Sequence, residues 1–205
     1  MVMQQFVLGI DEAGRGPLAG PVAVGIVKVH AGFNIKKHFV GVADSKKLSE
    51  AQREALYARI LEFSRIQELT FTVLFASAAL IDKKGITYAV QHSIYKGVKT
   101  IAPEPRGVQV LLDGLLHAPE EYSQETIIRG DASEPIISLA SIAAKVERDR
   151  LMKRLAKQYP QYGFEKHKGY GTSAHYQAIK EFGLCDIHRK SWRITDIDAK
   201  VAAGV

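Results

Sequence analysis

Apolar and polar residues alternate along this chain in two rhythms, one of period two and one of period 3.6, and these predict its strands and helices. Gln5 to Ile10 is a short apolar run that ends at two acids and predicts a strand. Pro21 to Val29, rich in valine, predicts a second strand, joined to the first by a tight glycine-rich stretch. Ser49-Glu-Ala-Gln52 has the residue types of a capping box, and Leu56, Ile60 and Phe63 follow at helical spacing. Gln67 to Phe75 alternates as a strand, and Ala76 to Ile101 reads as helix interrupted near Gly85. Val108-Gln-Val-Leu-Leu112 is an apolar run of strand length broken at Gln109, and it predicts a central buried strand. Thr126 to Ile128 is a short strand. Glu134 to Tyr159 is a long helix with Ile137, Ala140, Ala144, Leu151 and Leu155 on or near one face. A glycine- and aromatic-rich loop, Pro160 to Thr172, leads to a helix over Ser173 to Phe182. The tail from Gly183 is irregular, with weak helical character near its end. Strands first, then strands alternating with helices, predict an α/β fold: a central mixed β-sheet flanked by helices. With no linker composition in sight, the expectation is one domain over residues 1–205, of which about 173–205 form a C-terminal helical extension.

Composition narrows the picture. The chain is 46% hydrophobic and 24% charged, which is globular. Its one cysteine, Cys185, excludes an internal disulfide and a cysteine-based zinc site and fits a reducing, cytoplasmic compartment. The first six residues lack both the basic and the apolar part of a signal peptide. The longest uncharged run, Leu69 to Ile81, has 13 residues, short of the ~20 a membrane span needs, so a soluble protein with no membrane contact is expected. The net charge of +6 is unevenly placed. Residues 1–144 carry 15 basic and 15 acidic side chains, and residues 145–205 carry the other 13 and 7. That fits a polyanionic partner on the C-terminal third, and equally a solvated helix face.

Four acids stand out by position. Asp11 and Glu12 follow the first expected strand, Asp113 ends the buried run, and Asp131 precedes the long helix. Carboxylates at neighbouring strand ends converge where α/β sheets place their sites. Held together they repel unless a cation neutralises them, and an oxygen-only ligand set selects Mg²⁺ or Mn²⁺. Two such ions about 3.5–4 Å apart activate a water and stabilise the leaving oxygen of a phosphodiester. Taken singly, Asp131 also fits a helix cap, and Asp113-Gly114 also fits a turn. The loop Gly14-Arg-Gly-Pro-Leu-Ala-Gly20 matches neither a P-loop nor a dinucleotide fingerprint. Its glycines allow either a tight turn or close approach of backbone to a ligand, with Arg15 within reach of a phosphate.

These residues carry a family resemblance. Gly9-Ile-Asp-Glu-Ala-Gly-Arg-Gly-Pro17 resembles the opening signature of ribonuclease HII, the type 2 ribonuclease H. Asp44-Ser-Lys-Lys-Leu-Ser49, Leu112-Asp-Gly114, Gly130-Asp-Ala132 and Ala140-Ser-Ile-Ala-Ala-Lys-Val-Glu-Arg-Asp-Arg150 follow in the family's order. Tyr162-Gly-Phe164, His167-Lys-Gly-Tyr-Gly-Thr172 and His188-Arg-Lys-Ser-Trp192 complete it. The resemblance implies a ribonuclease H-like fold and metal-dependent cleavage of the RNA strand of RNA–DNA hybrids. It also implies incision 5′ of a single ribonucleotide in duplex DNA, leaving a 3′-hydroxyl and a 5′-phosphate. The family's four acids map onto Asp11, Glu12, Asp113 and Asp131, as catalytic residues and metal ligands. Its Gly-Arg-Gly element maps onto Gly14, Arg15 and Gly16, and its junction-sensing tyrosine onto Tyr170. Two departures stand out. Pro135 falls where the long helix should begin, and Trp192 stands where the family is expected to have phenylalanine.

Further polar residues lie around this set. Lys46 and Lys47 fit phosphate contacts or a solvated pair. Ser141, Lys145 and Arg148 share one helix face, turned either to the site and the nucleic-acid backbone or to solvent. His167, Lys168, His188 and Arg189 could contact phosphate in the C-terminal region, though the sequence does not assign them a role. A monomer is expected. Two rivals remain at this stage: another metal-dependent nuclease or phosphotransferase of the same fold, and a hybrid-binding module without catalysis. The first has no use for the Gly-Arg-Gly and Tyr170 pair, and the second no use for four acids.

Overall fold

A computed structural model describes residues 5–42 and 48–192. Thirteen elements follow in chain order: β1 (Phe6–Ala13), β2 (Val22–His30), α1 (Ile35–His38), α2 (Glu50–Arg65), β3 (Leu69–Ala76), α3 (Ala78–Lys84), α4 (Ile86–Ile101), β4 (Val108–Asp113), β5 (Ser123–Ile127), α5 (Gly130–Ser133), α6 (Pro135–Gln158), α7 (Phe164–His167) and α8 (Ser173–Phe182). Five strands form one sheet in the order β3-β2-β1-β4-β5. β1, β2 and β3 pair antiparallel, whereas β4 joins β1, and β5 joins β4, in parallel. The sheet is mixed, as expected.

Period-two alternation sorts the strands onto two cores. Leu8, Ile10, Val24, Ile26, Val110 and Leu112 face α4, against Ala89, Val90, Ile94 and Val98. Val27 and Val29 face the other way, against Ile137, Ala140 and Ala143 of α6 and Tyr57 and Ile60 of α2. A third cluster, including Leu18, Met152, Tyr162, Phe164 and Tyr176, joins the end of α6 to α8.

Most boundaries agree with the sequence pattern, and the differences have local causes. β1 runs three residues further than expected, because its ladder with β2 continues through Asp11↔Gly25, Glu12↔Val24 and Ala13↔Ala23. Asp11 and Glu12 are therefore strand residues. The expected strand Thr126 to Ile128 is longer and earlier, paired with β4 over its whole length. Pro135 begins α6 rather than disturbing it: it sits in the first turn, where a missing N–H costs nothing. Ser49 caps α2 as a full capping box. The loop Pro160 to Thr172 holds a 3₁₀ turn at Pro160–Tyr162 and the single-turn α7. Lys46, Lys47 and the end of the tail lie outside the described residues.

Two glycines set how closely α6 approaches the sheet. A Cβ on Gly9 would lie 2.4 Å from the backbone carbon and oxygen of Ile136, and one on Gly25 2.2 Å from the carbonyl oxygen of Ala140. Neither neighbour is a flexible tip that could yield. Gly25→Ala should therefore destabilise the protein by about 3 kcal/mol, the upper range for overpacking a core. Urea unfolding would show this as a lower midpoint at unchanged slope.

Candidate active site

The register places the first three acids. Asp11 pairs with Gly25 on the face of β1 that meets α6, and Glu12 is next to it near the strand's end. Asp113 ends β4, the parallel neighbour of β1. The fourth arrives through a sharp turn: Arg129, in left-handed backbone (φ 58°), redirects the chain from β5 into α5. This puts the Asp131 amide 3.3 Å from Asp113 Oδ1, to which it donates. All four line one cavity of about 430 Å³, with Gly14, Arg15, Gly16, Arg53, Ser141, Lys145 and Tyr170 among its other walls. The strand-end acids, the glycine loop and the distant tyrosine, separated by up to 159 positions, thus share one cleft.

The acids strain against their setting. Asp11 is 6% exposed. Burial foremost pushes its carboxyl up to about 8; the nearby Ser141 hydroxyl and the Glu12 amide (2.7 Å) oppose this, while the charges of Glu12 and Asp113 add to it. Glu12 is also raised, first by burial, against the pull of Arg15, whose Nη1 lies 3.6 Å from Glu12 Oε1. Among the described residues, no three His, Cys, Asp or Glu side chains are already assembled around one point to hold an ion. The donor set nonetheless fits one: carboxylate oxygens only, crowded together in one cavity.

Around the acids the wall is cationic and aromatic. Tyr170 is 41% exposed, with Lys145 Nζ 5.7 Å and the Arg148 guanidinium carbon 5.8 Å from its ring centre. Lys145 also meets Asp149 at 2.8 Å. Of the helix stripe, Ser141 and Lys145 face the cavity. Arg148 does not: it is fully buried beneath the glycine loop, donating to the carbonyls of Pro21 and Ala19. Arg53 of α2 lines the cavity and was not singled out from sequence, where it is one arginine among several on an exposed helix.

The C-terminal cations and histidines, candidates for phosphate contact, are mostly interior. Lys168, His188 and Arg189 are buried, and His167 is half-buried. Lys168 Nζ donates to the carbonyls of Glu165 and Lys166. The histidines form a chain with fixed tautomers. The Cys185 amide donates to His188 Nδ1 (2.9 Å), so His188 Nε2 carries the proton it donates to His175 Nε2 (3.0 Å). His175 Nδ1 in turn donates to the Tyr170 carbonyl (2.9 Å). His167, stacked on His175 at 4.4 Å, accepts from the Gly169 amide and donates to the Tyr162 carbonyl. The cluster holds the loop that presents Tyr170.

The fold and the acid-lined cavity together define a ribonuclease H-like nuclease. The chain belongs to the ribonuclease HII family, whose model, described as Ribonuclease HII, matches residues 8–195. A curated ribonuclease HII of Sulfurovum sp. is 44% identical over 190 residues, 93% of each chain. Another from Geobacillus sp. is 43% identical over 188 residues, and the match spans 92% of this chain but 64% of that longer relative. Among solved structures, the ribonuclease H2 of Pyrococcus horikoshii superposes with a TM-score of 0.74 at 26% identity, covering 97% of both chains. No helix among the described residues is long and apolar enough to cross a membrane.

The histidine chain has a pH consequence. Burial foremost holds His175 and His188 each down to about 4, whereas an unfolded histidine titrates near 6.5. A proton on either ring would set donor against donor in the chain. The stability the pair contributes is complete above pH 6.5 and is lost as pH falls toward 4. Melting temperature should drop across that window, and His188→Gln should start lower and flatten the drop.

Proposed function

We propose that this chain hydrolyses the RNA strand of RNA–DNA hybrids and incises duplex DNA on the 5′ side of a single embedded ribonucleotide, leaving a 3′-hydroxyl and a 5′-phosphate. The observation that carries this reading is the meeting of four acids, the Gly14–Gly16 backbone and Tyr170 in one cavity. The role would be ribonucleotide removal from DNA, by a monomer in the cytoplasm, built as one ribonuclease H-like domain.

Asp11 and Asp113 would hold divalent cations, Mg²⁺ or Mn²⁺, most directly, with Glu12 and Asp131 completing the ligand set. A pair of such ions, when bound, supplies an activated water and charge stabilisation at the leaving oxygen. The chain's own residues do the rest. Arg15, Arg53 and Lys145 at the rim draw in the phosphate backbone, joined by Lys46 and Lys47 beyond the described residues. Tyr170, exposed and flanked by two cations, stacks on the sugar or base that follows the ribonucleotide.

Gly14 and Gly16 divide their work. Gly14 is needed by the fold: its φ is +88°, and a Cβ there would lie 1.9 Å from Arg148 Nε. Gly16 is not: among the described residues, apart from its chain neighbours, no atom lies within 4 Å of where its Cβ would be. The space beside Gly16 is left to the substrate, which fits close reading of a 2′-hydroxyl by backbone groups. A site built to pair with that hydroxyl rejects deoxyribose strongly, because its polar groups would stay unpaired.

A labelled DNA duplex with one ribonucleotide should be nicked once, 5′ of it, with Mg²⁺ or Mn²⁺ and not with chelator. All-DNA duplex should stay intact. Asp113→Asn should fold normally and lose at least about 1,000-fold in rate; cutting at the wild-type rate would remove Asp113 from the site. Gly16→Ala should keep wild-type stability to within about 0.5 kcal/mol and lose tenfold or more in incision. Tyr170→Ala should lose more on the single-ribonucleotide duplex than on long hybrid; equal losses would argue for the nuclease without junction sensing.

A further inference from the structure

We infer that Arg189 is a positioning residue for ribose recognition: its buried guanidinium sets the direction in which the Gly14–Gly16 backbone presents its amides. The inference rests on the reading of that loop as the element that meets the ribose.

Arg189 is fully buried in the C-terminal segment, 173 positions from Gly16. Its fork is spent entirely on the loop. Nη2 donates to the Gly14 carbonyl (2.5 Å), Nη1 to the Arg15 carbonyl (2.7 Å) and Nε to the Gly20 carbonyl (3.0 Å). The Arg189 amide adds a bond to the Leu18 carbonyl (2.8 Å), and the Gly20 amide one to Ile187 (2.8 Å). Arg148 takes the next two carbonyls, Ala19 and Pro21, from the α6 side. Two buried guanidiniums thus gather five carbonyl oxygens of one loop. Burial holds Arg189 down to about 10, so it is still cationic at neutral pH.

Peptide planarity converts this into function. In a trans peptide the C=O and the following N–H point opposite ways. With the Gly14 and Arg15 carbonyls drawn inward onto Arg189, the amides of Arg15 and Gly16 point outward. Gly14, Arg15 and Gly16 line the cavity, and the position beside Gly16 is open. Two adjacent amides aimed into a cleft are a donor pair for an oxygen. Only a planar, five-donor group bonds successive carbonyls in this way; a lysine ammonium would not hold the same fork. Trp192, its ring centre 5.0 Å from the guanidinium carbon, steadies the fork from the far side.

Arg189→Lys and Trp192→Ala are the test, with Trp192→Phe as the conservative partner. For each, single-turnover incision of the one-ribonucleotide duplex is measured well below the melting temperature, alongside duplex affinity in chelator. Arg189→Lys should lose tenfold or more in the cleavage step, with affinity within twofold, because the phosphate contacts are untouched. Trp192→Ala should lose severalfold and Trp192→Phe should recover it. If Arg189→Lys does not fold, the tryptophan pair alone decides. A lower melting temperature with cleavage at the wild-type rate would make Arg189 merely structural and overturn the inference. Loss of affinity in proportion to rate would do the same. Failure of the wild-type protein to nick at a ribonucleotide would instead overturn the functional reading beneath.

Discussion

The approach of α6 to the sheet at Gly9 and Gly25 is the contact on which the rest of this structure depends. At these two points helix backbone meets strand backbone with no side chain between. Gly25 pairs with Asp11, so the closest point of the contact lies beside the first acid. Next to that contact on α6, Ser141 enters the cavity wall, with Lys145 little more than a turn beyond it; two turns beyond the contact, Arg148 goes under the glycine loop. The distance of α6 from the sheet therefore fixes the acids, the rim cation and the loop relative to one another. Strands and helices carry the acids, Arg53, Ser141 and Lys145, which suits a site that must hold reacting groups closely.

The cavity itself is where local rules are broken. Four carboxylates crowd one cavity with Arg15 beside Glu12, and burial holds Asp11 up to about 8. In a region built only for stability, apolar residues would fill this space. Conflict of this kind, inside an otherwise consistent fold, marks the place where stability is given up for function. On the proposed reading, bound divalent cations would offset that cost, and the carboxyls would shed protons to hold them, which ties occupancy of the site to pH.

Much of this was legible in the sequence, and the failures share one cause. Apolar periodicity located the strands and the long helices because burial of one face dictates that pattern. The capping residues of α2 and the break at Gly85 are equally local signals. The four acids could be marked by their position at strand ends. The extension of β1 through Asp11 and Glu12 could not, since it depends on pairing with β2 and acids read as strand breakers. Arg148, Lys168, His188 and Arg189 read as surface for the same reason: a polar residue looks exposed until its partners are known. Here the partners are backbone carbonyls and other rings far away in sequence, which no periodicity reveals.

That correction changes what the basic C-terminal third does. Its excess of cations reads naturally as a footprint for polyanions, yet several of these groups are spent inside the protein. Arg148 and Arg189 gather the carbonyls of the glycine loop, and Lys168 holds the turn before Tyr170. Arg150 and Lys153 bond Glu54 and Glu50 across the α2–α6 contact. Buried guanidiniums still contribute to the field at the cleft, where they raise the potential felt by an approaching phosphate. On the proposed reading, direct contact falls to Arg15, Arg53 and Lys145, which line the cavity from the glycine loop, α2 and α6. On that reading the buried cations of the C-terminal third act on substrate through geometry: they aim the loop and the tyrosine rather than grip phosphate.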